Sequence, residues 1–377
     1  MSPSDPIANA MHAAVEGGVF PGAVLLVRLQ GQVAYHQAFG SAALTPAREP
    51  ASLETVYDLA SLTKPLATTT AVLCLVQDGR LRLDDPLQRH LEALHGNAIG
   101  EATVYHLLTH SAGLPAWRPL YERIAEEDRR TPGLLGSPAA KQMAVDLIKQ
   151  EPLATSPGSR SLYSDLGFIL LGLLVEQAGG TTLAAYCRQS IFEPMQAPLF
   201  FLGPGGMAAG HGAPPDISRI APTEDDPWRG RLLRGDVHDE NACALGGAAG
   251  HAGLFGTAVA VSAVVGQWLD SHAGRSRVLP SDLVRRFTAR QERIAESSWA
   301  LGWDTPSNPS SSGSRFSAAS FGHLGYTGTS IWVDPTKELE VVLLSNRVHP
   351  TRRNETIKQF RPLIHDIIYD ELVARSR

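Results

Sequence analysis

A chain of 377 residues is long enough for one large two-layer domain or two domains with substantial cores. Apolar residues contribute 43% and charged residues 19%, an ordinary globular balance, and a net charge of -5 offers no basic stripe for nucleic acid. Cys74, Cys187 and Cys243 are too few and too scattered for a disulfide framework or a zinc site, and read as reduced, buried thiols.

The first residues lack a basic segment leading into an apolar one, and no apolar run approaches the ~18 residues of a membrane helix, so a cytoplasmic protein with no membrane partner is expected. Residues 6–17 carry Ile7, Met11 and Val15 at helical spacing. A hairpin follows, Ala23–Leu29 and Val33–Phe39, turning at Gln30-Gly31-Gln32. Ala67–Gln77 reads as a buried helix stopped by Asp78-Gly79, and helical patterns recur at 103–110, 138–149, 166–178 and 182–191. Residues 203–250 are rich in Gly, Pro, Ala and Asp, a long loop of the kind often kept for function. Helices are expected at 257–269 and 281–289, and Ser307–Ser314 as a surface loop. Strand-like runs at 319–325, 328–334 and 339–345 precede a last helix over about 352–373. Strands thus lie at both ends and helices between. The simplest architecture is α/β (α+β): an antiparallel sheet from the two ends, flanked by helices, with a largely helical domain inserted. That places residues 1–60 and 245–377 in a sheet domain and 61–244 in a helical domain, with the active site between them.

Three short segments carry the chemistry. Ser61-Leu62-Thr63-Lys64 opens a helix, where positions three apart share a face, so the Lys64 amine can reach the Ser61 hydroxyl. A serine needs such a base before it can attack. Pro65 has no N–H, which deprives the Ser61 carbonyl of its helical partner. Taken alone, S-x-x-K more often means a helix cap beside a surface lysine. Tyr163-Ser164-Asp165 precedes the helix near Leu166, where Asp165 also suits an N-cap. Gly322-His323-Leu324-Gly325-Tyr326-Thr327-Gly328 lies on a late strand, and glycines there mark close approach of another backbone or a ligand.

In this order and spacing the three segments resemble the penicillin-recognising serine hydrolases: class C β-lactamases, D-alanyl-D-alanine peptidases and family VIII-type esterases. Tyr57-Asp58-Leu59-Ala60, the run Leu107–Pro115, Ala252–Thr257 and the strand ending at Asn346-Arg347 are similar to further segments of that family. The resemblance implies a β-lactamase/transpeptidase-like fold and a nucleophilic Ser61 that becomes acylated. Lys64 and Tyr163 would share proton transfer, and backbone N–H groups of Ser61 and Tyr326 would form an oxyanion hole. It implies no metal or cofactor. Substrate contacts are expected from Asp165, His323, Gly325 and His251.

Two departures shape the chemistry. Asp165 stands where the peptidases often carry asparagine; a carboxylate there favours charged Lys64 and makes a Tyr163 phenolate the better candidate base. His323 replaces the family's lysine, exchanging a fixed charge for one only partial near pH 7, which moves weight from penicillins and D-Ala-D-Ala peptides toward esters.

His106 and His110 have zinc-pair spacing but lack the intervening glutamate, so they read as bracing residues. His211, His238, Asp239, Glu240 and His251 crowd the long loop, where bracing the loop or lining the mouth of the active site outweighs a metal site. Trp117, Tyr121 and Trp228 are candidates for an apolar wall. The expected activity is serine hydrolysis, through an acyl-enzyme, of a small molecule or short peptide. A small ester or amide is favoured; D-amino-acid peptides and β-lactams stay open, as does the oligomeric state. The rivals are a non-catalytic binding protein on the same fold and a metal-dependent hydrolase using the histidine-rich loop.

Overall fold

The computed structural model describes residues 5–203, 208–209 and 216–375. Helix α1 (Pro6–Glu16) starts where Asp5 accepts from the N–H groups of Ile7 and Ala8 at 3.0 Å, with Pro6 suited to the first turn. Strands β1 (Gly22–Leu29) and β2 (Gln32–Ala43) form the expected hairpin. Its tight turn puts Gln30 and Gly31 at φ of 50° and 76°, the left-handed conformation that such turns demand. Then come β3 (Glu49–Pro50) and β4 (Tyr57–Asp58), followed by a tight turn at Ala60–Leu62 and a wide helical turn at Lys64–Thr69 that continues into α2 (Thr70–Gln77).

Helices α3 (Val104–Leu108), α4 (Leu120–Arg130), α5 (Pro138–Ile148), α6 (Asp165–Gly179) and α7 (Leu183–Cys187) fill the middle. Short elements follow: β5 (Phe200–Leu202), β6 (Ala208–Ala209), β7 (Asp225–Asp226), β8 (Arg231–Leu232), α8 (Glu240–Ala244) and β9 (Leu254–Gly256). The chain ends with α9 (Ala258–His272), α10 (Ser281–Thr288), β10 (Phe321–Leu324), β11 (Ser330–Asp334), β12 (Leu339–Ser345) and α11 (Ile357–Ile368).

The main sheet is antiparallel in the order β10-β11-β12-β1-β2-β3. Its centre joins the chain's two ends, with Ala23 opposite Ser345 and Leu29 opposite Leu339. Side chains alternate across it. Ala23, Leu25 and Val27 face α1 and α11, packing with Ile7, Met11, Phe360 and Ile364. Val24 and Leu26 face the other way, into a core continuous with Leu66, Phe168 and Trp268. Both faces of β1 are therefore covered, which makes it a continuous apolar run. Each fully buried Leu or Val stabilises the fold by roughly 1.5–3 kcal/mol.

A second sheet has the order β4-β9-β5-β6, and its strand β4 leads directly into the nucleophile segment. The last helix begins at Ile357, later than its pattern suggested, and α4 had no counterpart in the sequence reading. The three cysteines are free; Cys187 is buried and the other two are partly so. Ser312 is buried within a loop otherwise largely at the surface. No single helix among the described residues is long and apolar enough to cross a membrane.

Candidate active site

β4 carries the chain to the nucleophile, and Ala60 adopts φ of 47°, a costly conformation for a residue with a side chain. The surroundings hold it there. The Ala60 N–H donates to Asp58 Oδ1 at 2.8 Å, Thr63 Oγ1 donates to the Ala60 carbonyl at 2.7 Å, and the Leu59 N–H donates to the Leu254 carbonyl at 2.9 Å. Thr327 and Thr329, in the turn after β10, donate to the Asp58 and Leu59 carbonyls at 2.7 and 3.1 Å. This turn approaches so closely that a Cβ on Gly325 would lie 2.0 Å from Thr329 Oγ1 and 2.8 Å from the Leu59 carbonyl. Only glycine fits there.

Ser61 is partly exposed at the floor of a cavity of about 610 Å³. Lys64 Nζ, fully buried, donates to Ser61 Oγ at 3.0 Å, to Asp165 Oδ1 at 2.6 Å and to the His251 carbonyl at 3.1 Å. The Tyr163 ring centroid lies 4.9 Å from Lys64 Nζ, and its hydroxyl interacts with both Lys64 and Ser61. The hydroxyl and amine of one segment and the phenol of a second, about a hundred residues on, thus meet at one point.

The run that includes Leu107–Pro115 is the template for Tyr163-Ser164-Asp165. The Ser164 N–H donates to His110 Nδ1 at 3.1 Å, Ser164 Oγ to the Pro115 carbonyl at 2.6 Å, and the Asp165 N–H to the Ala116 carbonyl at 2.9 Å. Ser164 caps α6, accepting from the Gly167 N–H. That leaves the Asp165 carboxylate free for Lys64, rather than capping the helix.

Charge follows from this geometry. Burial works against the Lys64 charge, but Asp165, with Tyr163 adding to it, outweighs burial and holds the amine above its usual range. Lys64 is therefore an ammonium at rest, as its carboxylate neighbour led us to expect. Burial pushes the Tyr163 phenol up, and Asp165 adds to this against the pull of Lys64. The expected resting phenolate is corrected: Tyr163 is a neutral phenol.

His323 lines the cavity, but its ring is buried and its pKa falls to about 3, through burial first and then Lys64. The partial charge expected near pH 7 is absent. With Nδ1 2.8 Å from the Leu324 carbonyl, the ring donates there and turns its unpartnered Nε2 inward. His251 is a second correction. Its imidazole is buried, bonds Asp239 at 2.8 Å and does not line the cavity; its carbonyl, not its ring, serves the site by holding Lys64.

Asp165, Gly325 and Tyr326 line the cavity. Tyr326 is 47% exposed, and its N–H makes no hydrogen bond among the described residues. The other described loop residues, His238, Asp239 and Glu240, line the cavity and brace its wall. His238 bonds Glu224 at 3.0 Å while its N–H holds Asp58 at 2.7 Å, and Glu240 pairs with Arg352 at 2.7 Å. No group of three or more His, Cys, Asp or Glu among the described residues is arranged to hold a metal ion. His211 lies outside the described residues. His106 accepts from the Thr103 N–H at the start of α3, so it and His110 brace separate turns. Trp117 lines the cavity, whereas Tyr121 and Trp228 pack on each other at 4.7 Å, away from its lining.

The Beta-lactamase family profile matches residues 7–364. The chain belongs to the beta-lactamase family. It is 31% identical to an Escherichia coli (strain K12) protein described as "Putative D-alanyl-D-alanine carboxypeptidase", over 88% of this chain and 79% of that one. A Salmonella agona protein of the same description is 30% identical over 81% of this chain and 73% of its own length. Among solved structures, EstCE1, a hydrolase with promiscuous acyltransferase activity, superposes with a TM-score of 0.73 at 21% identity, covering 96% of this chain and 97% of EstCE1. A class C beta lactamase gives 0.72 at 16% identity over 97% and 96% of the two chains. These likenesses show the β-lactamase/transpeptidase fold and support a serine hydrolase-type function.

Within this family fold, several site residues escaped the sequence. Trp299 stacks on Tyr163 at 5.6 Å and lies 4.3 Å from His110, lining the cavity from a loop with no motif of its own. Asp304, also in the lining, is pushed up to about 6 by burial. Arg347 and Arg361 reach the cavity from beyond β12 and from α11. Nothing in one-dimensional spacing marks these four as site residues.

Proposed function

We propose that this protein is a serine hydrolase in which Ser61 attacks the carbonyl of a small ester or amide and carries the acyl group as an intermediate. The observation behind this reading is the 3.0 Å contact between Ser61 Oγ and buried Lys64 Nζ at the floor of an open cavity. Ser61 is activated by proton movement through Lys64 and Tyr163 toward Asp165. Because Lys64 is already an ammonium, its proton moves across the 2.6 Å bond to Asp165 as the Ser61 proton arrives, directly or through the Tyr163 oxygen. The net charge of the cluster does not change, so a buried site can hold both states. The N–H groups of Ser61 and Tyr326 receive the developing oxyanion; losing one such donor typically costs ~3–4 kcal/mol of barrier. The leaving group takes the proton back, and water repeats the sequence on the acyl-enzyme.

Neutral His323 supplies no fixed charge where the family carries lysine, and positive charge reaches the cavity from Arg347 and Arg361 instead. A second reading, a peptidase acting on D-alanyl-D-alanine ends, draws on the description of the Escherichia coli relative. The test is labelling with a fluorophosphonate, mapping of the adduct, and a parallel screen of short esters, D-Ala-D-Ala peptides and a penicillin. An adduct on Ser61, lost in Ser61→Ala, is expected. A folded protein with no adduct at Ser61 would sink the proposal.

A further inference from the structure

The turn bearing Tyr326 is held by an arginine that has no ion-pair partner among the described residues. Arg361, in α11, is 5% exposed and forms no ion pair among the described residues. Its Nη2 donates to the Gly325 carbonyl at 2.9 Å and to the Thr329 carbonyl at 2.7 Å, while Nε is buried with no partner. Burial, then Arg347, draws its pKa down to about 9, so it stays cationic at neutral pH. Such a buried cation is costly unless something negative appears nearby. Arg347 donates from Nε to the next carbonyl, Tyr326 O, at 2.8 Å.

The Gly325 carbonyl and the Tyr326 N–H belong to one peptide unit. That peptide is not among the cis bonds, so its C=O and N–H point in opposite directions. A cation bonded to the carbonyl end fixes the plane of the unit and draws electron density from its nitrogen. The N–H at the other end, free of any protein acceptor, becomes the stronger donor. We propose that Arg361 is a positioning residue of the oxyanion hole: through the Gly325–Tyr326 peptide it aims and polarises the N–H that receives the negative oxygen. The positive charge, unpaired among the described residues, is answered when that oxygen develops. The cost of burying it is thus offset in the transition state more than in the ground state.

This inference rests on the acyl-enzyme reading above. Its test compares wild type, Arg361→Met and Arg361→Lys for fluorophosphonate labelling rate, kcat and KM on a short ester, affinity for an arylboronic acid that mimics the tetrahedral adduct, and thermal midpoint. We expect Arg361→Met to acylate about 10- to 100-fold more slowly and to bind boronate more weakly by a similar factor, with KM within about twofold. Arg361→Lys should recover part of both. A folded Arg361→Met that labels at the wild-type rate would overturn the inference, as would kcat and KM failing together with the midpoint in both variants. If Arg361→Met does not fold, Arg361→Lys decides: unchanged boronate affinity refutes the role, and weakened affinity at unchanged KM supports it. A wild-type protein that never labels defeats the acyl-enzyme reading itself, whereas a labelled wild type indifferent to residue 361 defeats only this inference.

Discussion

Replacing Asp165 with asparagine isolates the proton path. In the native site Lys64 is fully buried, and Asp165, 2.6 Å away and 17% exposed, is its only carboxylate partner among the described residues. Removing that charge leaves the ammonium with the Ser61 hydroxyl and the His251 carbonyl as named acceptors. Stranding a buried charge typically costs about 3–5 kcal/mol, and the partial exposure of Asp165 puts this site at the lower end. Burial is the largest influence on Lys64 and lowers its pKa, so removing Asp165 should let burial prevail over the remaining pull of Tyr163 and draw the amine down.

The sign for stability follows. In wild type the raised lysine contributes stability that is fully present below its unfolded pKa of about 10.4 and is lost only as pH rises through the folded value. In Asp165→Asn the unfolded chain binds the extra proton, so stability rises with pH toward that same value. Activity should follow a parallel course. At pH 7 kcat/KM on a short ester falls about 10²-fold, because the proton has lost its acceptor, and it recovers on the alkaline side as Lys64 itself becomes a free base. Thermal midpoints and kcat/KM, measured from pH 6 to about 10 in both proteins, provide the assay. A variant with the wild-type rate and pH profile would refute the assignment of Asp165 to the proton path.

Tyr163→Phe should slow acylation about 10²-fold or more with little change in KM, and ultraviolet titration of wild type should show no phenolate at this residue at neutral pH. Gly325→Ala forces a Cβ to 2.0 Å from Thr329 Oγ1; it should destabilise the protein by about 1–3 kcal/mol and abolish labelling at Ser61, as calorimetry and gel assay would show. Glu340, buried in β12 opposite Arg28, is pushed up to about 7 by burial, with Ser262 and Arg28 offsetting part of the effect. Its folded pKa exceeds the unfolded value, so about 3 kcal/mol of stability should drain away as pH rises from about 4.5 to 7. Glu340→Gln should flatten that part of the thermal midpoint profile. A chelator should leave fluorophosphonate labelling unchanged, since His238 and His251 are committed to Glu224 and Asp239.

What the sequence made legible is what local physics determines. The β1–β2 hairpin, α6 and α9 were readable because periodicity, capping residues and turn glycines act within a few positions. Ser61 and Lys64 were readable because helical spacing places one beside the other. The small sheet of β4, β9 and β5 was not, since strands of two or three residues carry no period and are held by partners about 55 to 200 residues away. Helix α4 hid for a different reason: its run of Glu, Asp and Arg leaves only Leu120, Ile124 and Ala125 to bury. The charge states were least legible of all. His323 looks like a weaker lysine in the sequence, yet burial makes it neutral; Tyr163 looks like a phenolate beside an ammonium, yet burial keeps its proton. Both corrections depend on how much water surrounds a group, and that follows from packing by distant segments. Arg361 is the same case seen from the other side. In sequence it is one basic residue on a C-terminal helix, and its connection to Gly325 exists only because α11 packs beneath the sheet that carries the turn. A site of this kind is therefore announced by its nucleophile and tuned by residues whose role no spacing rule can reveal.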